Sequence, residues 1–184
     1  VSPRFAVAVK LNSADFQRGG FDDADALAVL QLLNELPVDL VELSGGSYES
    51  PAMQGRTADG RTLAREAYFL EFAARLAGQA RMPLMTTGGI RRRAVAEEVL
   101  SQGVAVVGMA TALTVIPDLP ARWQAGDAAV AELPVVHWND KVLSAVATMA
   151  VIRRQLRRLG SRRASKPDES PAVSLLLDRL RLSR

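Results

Sequence analysis

The sequence predicts an α/β fold built from four successive β/α units, the number found in half of a (β/α)8 (TIM) barrel. Three observations predict it. Continuous apolar runs alternate with segments of helical periodicity. The runs lack the polar alternation of half-exposed strands, and glycines or other small residues close most of them. Such an alternation favours a parallel sheet with right-handed crossovers.

The first two units each join an apolar run to a helix. Phe5–Leu11 is typical of a buried parallel strand, and Asp22 or Asp23 can cap the helix that follows it and ends at Pro37. Val38–Ser44 predicts the second strand, broken by Gly45 and Gly46. A long polar loop leads to the second helix, whose apolar side is formed by Ala67, Leu70, Phe72, Ala73, Ala74 and Leu76.

The last two units are more compact. Pro83–Thr87 predicts the third strand, and a helix over Val95–Leu100 follows it and ends at Gly103. The fourth strand is Val104–Val107, and the proline-containing segment Pro117–Pro120 then breaks the pattern. The β/α units and this break make up a first domain, residues 1–133.

Two further segments complete the chain. Residues 134–160 contain a helix from about Asn139 to Leu159, with one apolar face, which we expect to pack on the barrel. Residues 161–184 form a basic tail: a linker rich in serine, proline and charge, then the amphipathic element Leu175–Leu182. That element is expected to dock on this or a neighbouring subunit, with a partner or a membrane surface as the alternative.

Composition narrows the class of protein. The 184 residues are 48% hydrophobic and 23% charged, which is ordinary for a globular domain. The absence of cysteine excludes disulfides and thiolate metal sites, and it favours a cytoplasmic location. No apolar run approaches the roughly 20 residues of a membrane-spanning helix. The single histidine, His137, argues against zinc or iron sites and is expected to be structural.

Arginines are concentrated in one short segment, although the formal net charge is only +3. Such a cluster can bind nucleic acid or an anionic membrane. No aromatic residues are interleaved with it, so it is interpreted as a solvated helix face, and neither nucleic acid nor a membrane is expected as a partner. The cluster consists of Arg153, Arg154, Arg157, Arg158, Arg162, Arg163 and Lys166.

Four parallel strands leave two bare sheet edges, which proteins normally avoid. The chain also opens almost directly on a strand. We therefore expect a missing partner: an N-terminal half-barrel on other sequence or another chain, or a second copy of this chain in a homo-oligomer. An open sheet covered by helices on both faces is the third arrangement.

Two strand ends carry the chemistry. Met82–Arg91 (MPLMTTGGIR) and Val104–Leu113 (VAVVGMATAL) each run from a short apolar strand through small residues into a helix. Phosphate oxygens require unhindered backbone N–H groups at such helix N-termini. The pair predicts a phosphate site at the carboxyl end of the strands, although Gly88 and Gly89 alone are also compatible with a tight β-to-α turn.

Taken together, the strand ends resemble a known family. The stretches are VKLNSADF at Val9–Phe16, VDLVELSGG at Val38–Gly46, TGGIR at Thr87–Arg91 and GMATAL at Gly108–Leu113. In order and spacing over roughly residues 4–160, they resemble the C-terminal half of the old yellow enzyme family. These are FMN-dependent NAD(P)H:flavin oxidoreductases and ene-reductases.

The resemblance implies a cofactor and its contacts. Gly88, Gly89, Ala110 and Thr111 would hold the FMN phosphate, and Lys10 would replace the arginine that meets the pyrimidine edge of the flavin. Thr111 likewise stands where a phosphate-binding arginine is common. Hydride would pass from NADH or NADPH through FMN to a small acceptor, such as an activated alkene. The family's substrate-clamping residues lie on earlier strands, so no catalytic residue is predicted here.

Other interpretations stay open. Tyr48 can contact substrate or simply pack in its loop, and Asp15 is expected to cap a loop. A phosphorylated metabolite bound to a non-redox lyase or isomerase barrel would use the same anion site, with Lys10 as a Schiff-base lysine. A truncated half-barrel without activity of its own is the third possibility.

Overall fold

The structure is a computed structural model that describes residues 2, 5–15, 19–45, 67 and 69–182. It separates two compact units, Val1–Met109 and Ala110–Arg184, and each is described by itself. The domain boundaries expected after residues 133 and 160 stay predictions.

The first unit is a parallel four-stranded sheet, as the sequence predicts. Its strands are β1 (Ala8–Asn12), β2 (Leu40–Ser44), β3 (Leu84–Thr86) and β4 (Val106–Val107), hydrogen-bonded in the order β1-β2-β3-β4. The connecting helices are α1 (Asp23–Leu33), α2 (Leu70–Ala77) and α3 (Arg93–Ser101). A strand order that follows the chain is compatible with half a barrel, and it disfavours a doubly wound layer, whose order reverses at a switch point.

The strands are shorter than the apolar runs that predict them. Phe5 and Val7 lie before β1 and are exposed, although Val7 is fixed by a hydrogen bond from its backbone N–H to the Asp39 carboxylate at 2.7 Å. Ala105 precedes β4 but already donates to Leu84 O at 2.9 Å. The apolar runs in the sequence are therefore longer than the segments that form regular strand pairing.

Helix α1 begins where its cap predicts. The side chain of Asp22 accepts hydrogen bonds from the backbone N–H of Ala24 at 2.8 Å and of Asp25 at 3.1 Å. The Asp25 carboxylate in turn accepts from Asp22 N, which completes a capping box. Of the two candidate caps, Asp22 is the one used.

The two faces of the sheet differ in burial. Side chains alternate across a strand, so Leu11, Leu43 and Thr86 share one face. They are 8%, 0% and 0% exposed, and helices α2 and α3 pack against β3 and β4. The opposite face is more open, and its central register row consists of Lys10, Glu42, Met85 and Val106.

The second unit is helical. It contains α4 (Thr111–Val115), α5 (Leu119–Gln124), α6 (Lys141–Gly160) and α7 (Pro171–Leu182). The β/α alternation ends at Pro117–Pro120 as expected, and this segment opens α5, because a proline in the first helical turn loses no intrahelical hydrogen bond. Among the described residues, no helix combines the length and apolar character needed to cross a membrane.

Helices α6 and α7 form a hairpin tied by ion pairs. The carboxylate of Asp178, buried in α7, accepts from Arg153 at 2.6 Å and from Arg157 at 2.7 Å. Glu169, in the predicted linker, pairs with Arg154 and Arg158. The amphipathic element thus docks within this chain, and these arginines bind carboxylates instead of forming a freely solvated face.

The C-terminus of α6 is a Schellman motif. Arg163 N donates to Arg158 O and Arg162 N donates to Leu159 O, both at 2.9 Å. The position that glycine usually occupies is held by Arg162, whose φ is +57°. The motif turns the chain back over the last turn of α6, where Arg158 Nε donates to Ala164 O at 2.8 Å.

Candidate functional site

The loop after β1 is closed by a carboxylate. Asp15 accepts hydrogen bonds from Asn12 Nδ2 at 2.6 Å and from Phe21 N at 3.2 Å, while its own N–H donates to Phe21 O. The predicted loop-capping role of Asp15 is confirmed. Ser13 N also donates to Ser44 O at 2.6 Å, which continues the β1–β2 ladder beyond the last strand residue.

Gly45 allows β2 to end in a crowded position. A Cβ atom there would lie 2.5 Å from Phe69 Cε1 and 2.7 Å from Ser13 Oγ, so a side chain would displace an aromatic ring. Gly46 and Tyr48, for which the sequence suggested a turn and a substrate contact, lie outside the described residues.

The turn after β3 has the backbone that only glycine adopts readily. Gly88 has φ +133° and Gly89 has φ +70°. Gly88 is buried, and its carbonyl accepts from Ala67 N at 2.7 Å, whereas Gly89 is exposed. The turn therefore presents a stretch of chain without side chains at the carboxyl end of β3.

Thr87 precedes this turn with an unsatisfied hydroxyl. Within the described parts of the chain, its Oγ1 is buried and has no hydrogen-bond partner. Gly108 packs directly on Thr87, since a Cβ there would clash with Thr87 Cγ2, and Gly108 N donates to Thr86 O at 2.8 Å. A buried donor without a partner costs free energy, about 1–3 kcal/mol, and marks a place where a ligand oxygen can bind.

Helix α3, which follows the turn, favours an anion. Its first turn has no acidic residue, and its N-cap is Arg92 between Arg91 and Arg93. The Arg93 guanidinium pairs with Glu97 at 2.6 Å. The positive end of the helix dipole favours an anion at this edge of the first unit.

Lys10 lies on the open face of the sheet. Its side chain is 55% exposed and pairs with the carboxylate of Glu42, its register neighbour on β2. An exposed, ion-paired ammonium differs from the desolvated apolar setting that activates a Schiff-base lysine. The geometry disfavours the lyase interpretation and leaves Lys10 as a cation held at a defined place.

Ala110 and Thr111 open the second unit. Ala110 is the exposed N-cap residue of α4, and Thr111 is half-buried in its first turn. Their predicted phosphate contacts stay predictions. His137 is exposed and is flanked by Val136, whose N–H donates to Thr148 Oγ1 at 3.0 Å, and Trp138, whose N–H donates to Ser144 Oγ at 2.8 Å.

Three curated relatives, all NADH-dependent flavin oxidoreductases, show what the chain is similar to. The NADH-dependent flavin oxidoreductase iliE of Neonectria sp. (strain DH2) is 34% identical over 63% of this chain and 16% of that protein. iliE of Hypocrea jecorina (strain QM6a) is 34% identical over 65% of the chain and 31% of that protein. The NADH-dependent flavin oxidoreductase nadA of Aspergillus parasiticus is 30% identical over 88% of the chain and 36% of that protein.

This chain is a homologue of the NADH-dependent flavin oxidoreductases. The relationship that the sequence resemblance predicted is confirmed. No family model matches the chain. The chain spans between about one sixth and just over one third of the length of these relatives.

For this flavin oxidoreductase homologue, sequence reasoning missed two features of the site. The first is Glu42, although Lys10 and Glu42 each stand two residues before the end of their strand, a spacing that places them side by side in a parallel ladder. The second is the Thr87 hydroxyl. Its position directly before two glycines is a usable signal, but only the structure shows that it lacks a partner.

Proposed function

We propose that this chain is the FMN-holding part of an NADH-dependent flavin oxidoreductase. The observation that carries the proposal is the Gly88–Gly89 turn, with the unsatisfied hydroxyl of Thr87 on one side and the N-terminus of α3 on the other. Names of the relatives support a flavin and NADH as the cofactor and reductant.

The residues of the turn fit a phosphate group. Gly88 and Gly89 have no side chains and adopt positive φ angles, so their backbone can be approached closely by an anion. Thr87 offers a hydroxyl that has no partner among the described residues. A phosphomonoester such as that of FMN supplies acceptor oxygens for it, and the positive end of the α3 dipole attracts its charge.

The open face of the sheet supports a half-barrel. In a (β/α)8 barrel the helices lie outside and the inward side chains of the strands fill the interior. Lys10, Glu42, Met85 and Val106 form such an inward row, and Val106 is 39% exposed. Further β/α units, from other sequence or a second copy, would cover this row and complete the barrel.

Lys10 is proposed to meet the flavin ring. It lies on the inward row near the carboxyl end of β1, the face on which barrel active sites are built. Bound FMN would supply hydride transfer from NADH or NADPH to an acceptor such as an activated alkene. The contribution of this chain is to hold the phosphate at Gly88 and Gly89 and to place a cation at the ring edge.

The test compares FMN with riboflavin, which lacks the phosphate, by quenching of flavin fluorescence in the purified protein at its natural length. FMN is expected to bind at least about tenfold more tightly than riboflavin, the value of one charge-assisted hydrogen bond. Gly89→Ala is expected to remove most of that difference, because its methyl group stands where the phosphate approaches.

The matched control is Gly103→Ala. Gly103 has φ +86°, similar to Gly89, but it follows α3 at the amino end of β4, and a Cβ there makes only ordinary contact with Ala77. Both variants place an alanine at a similar positive φ. Equal affinity for FMN and riboflavin in the unmodified protein, or equal loss of FMN in both variants, would refute the proposed phosphate site.

A further inference from the structure

A small cavity in the second unit is lined by arginines. It measures about 80 Å³ and lies in the α6–α7 hairpin. This is well below the roughly 300–1,000 Å³ of pockets that take drug-sized ligands, so it admits one small group. The residues that line it are Arg154, Arg157, Arg158, Ser161, Arg163, Ser174 and Leu177.

The lining of the cavity keeps a net positive charge after its ion pairs are counted. None of the described residues lining the cavity is acidic. Glu169 is shared by Arg154 and Arg158, and Asp178 is shared by Arg153 and Arg157. Guanidinium groups therefore outnumber the carboxylates that balance them.

Arg163 adds a further positive charge, and in the part of the chain that the structure describes it makes no ion pair. The Schellman motif fixes its position, because Arg163 N donates to Arg158 O. Planar guanidinium groups match the geometry of tetrahedral oxyanions, which accept paired N–H donors.

An independent observation comes from Ser174 in the first turn of α7. Ser174 is 1% exposed and lines the cavity, yet its Oγ has no hydrogen-bond partner among the described residues. A buried hydroxyl is normally satisfied, and an oxyanion in the cavity would accept its hydrogen bond. The arginines supply charge, and Ser174 supplies a neutral donor at the buried side.

We propose that this cavity binds a phosphate group, either free phosphate or a small phosphomonoester, through Arg157, Arg158, Arg163 and Ser174. The site is separate from the proposed FMN phosphate site, and it belongs to the second unit alone. It therefore stands whether or not the first unit holds a flavin.

The test is calorimetric titration of the purified protein with inorganic phosphate at constant ionic strength, with chloride as the balancing salt. Saturable binding at one site in the second unit is expected. Arg163→Gln should weaken it about tenfold, since one charge-assisted hydrogen bond is lost, and Ser174→Ala should weaken it severalfold. A titration with methyl phosphate shows whether the cavity accepts a monoester or only free phosphate, and either result supports the site.

The control is Arg179→Gln, which removes the same charge from an exposed residue of α7 that does not line the cavity. It should change the affinity less than twofold. Absence of saturable binding, or equal weakening by Arg163→Gln and Arg179→Gln, would overturn the site in favour of diffuse electrostatic attraction. Unchanged affinity in a folded Ser174→Ala variant would overturn the role of its hydroxyl.

Variants at Gly89 and Arg163 distinguish the two phosphate sites. Gly89→Ala should leave phosphate binding by the hairpin unchanged, and Arg163→Gln should leave the FMN-to-riboflavin affinity ratio unchanged. Should Ser174→Ala fail to fold, Arg163→Gln still decides the proposal, because Arg163 is exposed and outside the Asp178 and Glu169 ion pairs.

Discussion

The Nζ of Lys10 on β1 donates a hydrogen bond to the carboxylate of Glu42 on β2. The two residues are register partners on the open face of the sheet. Because the lysine side chain is 55% exposed, the pair contributes less than about 1 kcal/mol to stability. Its importance lies in placing one cation, with a carboxylate beside it, where the proposed flavin ring would be.

Lys10→Met is predicted to change the reduction potential of the bound flavin while leaving the stability of the fold almost unchanged. The midpoint reduction potential of the bound flavin should fall by about 20 mV, because about 1 kcal/mol of stabilisation of the anionic reduced form is lost. The melting temperature should stay within a few degrees of the unmodified protein. Spectroelectrochemical titration measures the first quantity and thermal unfolding the second.

Glu42→Gln is the paired control for this prediction. It removes the carboxylate that offsets the lysine charge, so the potential should move in the opposite direction, upward. Shifts of the same sign in both variants would show that Lys10 does not act through its charge.

Thr87→Val is predicted to stabilise the flavin-free protein while weakening FMN binding. The substitution removes a buried hydroxyl without a partner, which should raise the free energy of unfolding by about 1 kcal/mol. It also removes a proposed phosphate donor. Denaturant unfolding without FMN and fluorescence titration with FMN measure the two effects.

Thr114→Val serves as the reference for Thr87→Val. Thr114 is also buried, but its Oγ1 donates to Thr111 O at 2.8 Å. Its replacement should lower stability by about 1 kcal/mol. A loss of stability in both variants would mean that the Thr87 hydroxyl already has a partner within the protein.

The sheet was more predictable than the site. Apolar runs such as Val38–Ser44 and glycines such as Gly103 act locally, so the four parallel strands and the ends of several helices follow from the sequence. The Lys10–Glu42 pair depends on the register between β1 and β2, which cannot be predicted from the local sequence of either strand. For the same reason, the sequence could not show that Glu169 and Asp178 would bind the arginines of α6.

The helical unit is predicted to lose stability in acid. Hydrogen bonds from Arg153 and Arg157 outweigh burial and hold the pKa of Asp178 below its ordinary 3.8. Arg154 likewise lowers the pKa of Glu169 below 4.5. Depressed pKa values stabilise the folded state above the ordinary pKa, so this stability should disappear as the pH falls from about 4.5 through the folded-state values.

Asp178→Asn tests that dependence. At neutral pH it should cost about 1.5–3 kcal/mol, since charge-assisted hydrogen bonds are lost, and it should flatten the acid side of the stability profile. Denaturant unfolding followed by circular dichroism, from about pH 2 to about pH 7, gives the free energy of unfolding and its dependence on pH. Asp168→Asn, at an exposed carboxylate in the segment between α6 and α7, should behave like the unmodified protein. A similar acid profile in Asp178→Asn and the unmodified protein would contradict the assignment.

Arg162→Gly is predicted to stabilise the protein. A left-handed backbone costs about 1–2 kcal/mol for a residue with a side chain, and glycine relieves it. The expected rise in melting temperature is about 2–4 °C. Ser161→Gly is the control, because Ser161 has φ −96° and gains nothing from glycine. Stabilisation by both substitutions would show that backbone strain at Arg162 is not the cause.

The order β1-β2-β3-β4 also makes the first unit a module. Each strand pairs on the far side of the strand before it, so the edge strands of the described sheet are its first and last, β1 and β4. Dividing such a chain between two β/α units breaks strand pairing only at an edge strand of each part. Each glycine turn stays attached to its own strand. We therefore expect the helices of this unit to stay packed on their own strands when the unit is joined to a different second half.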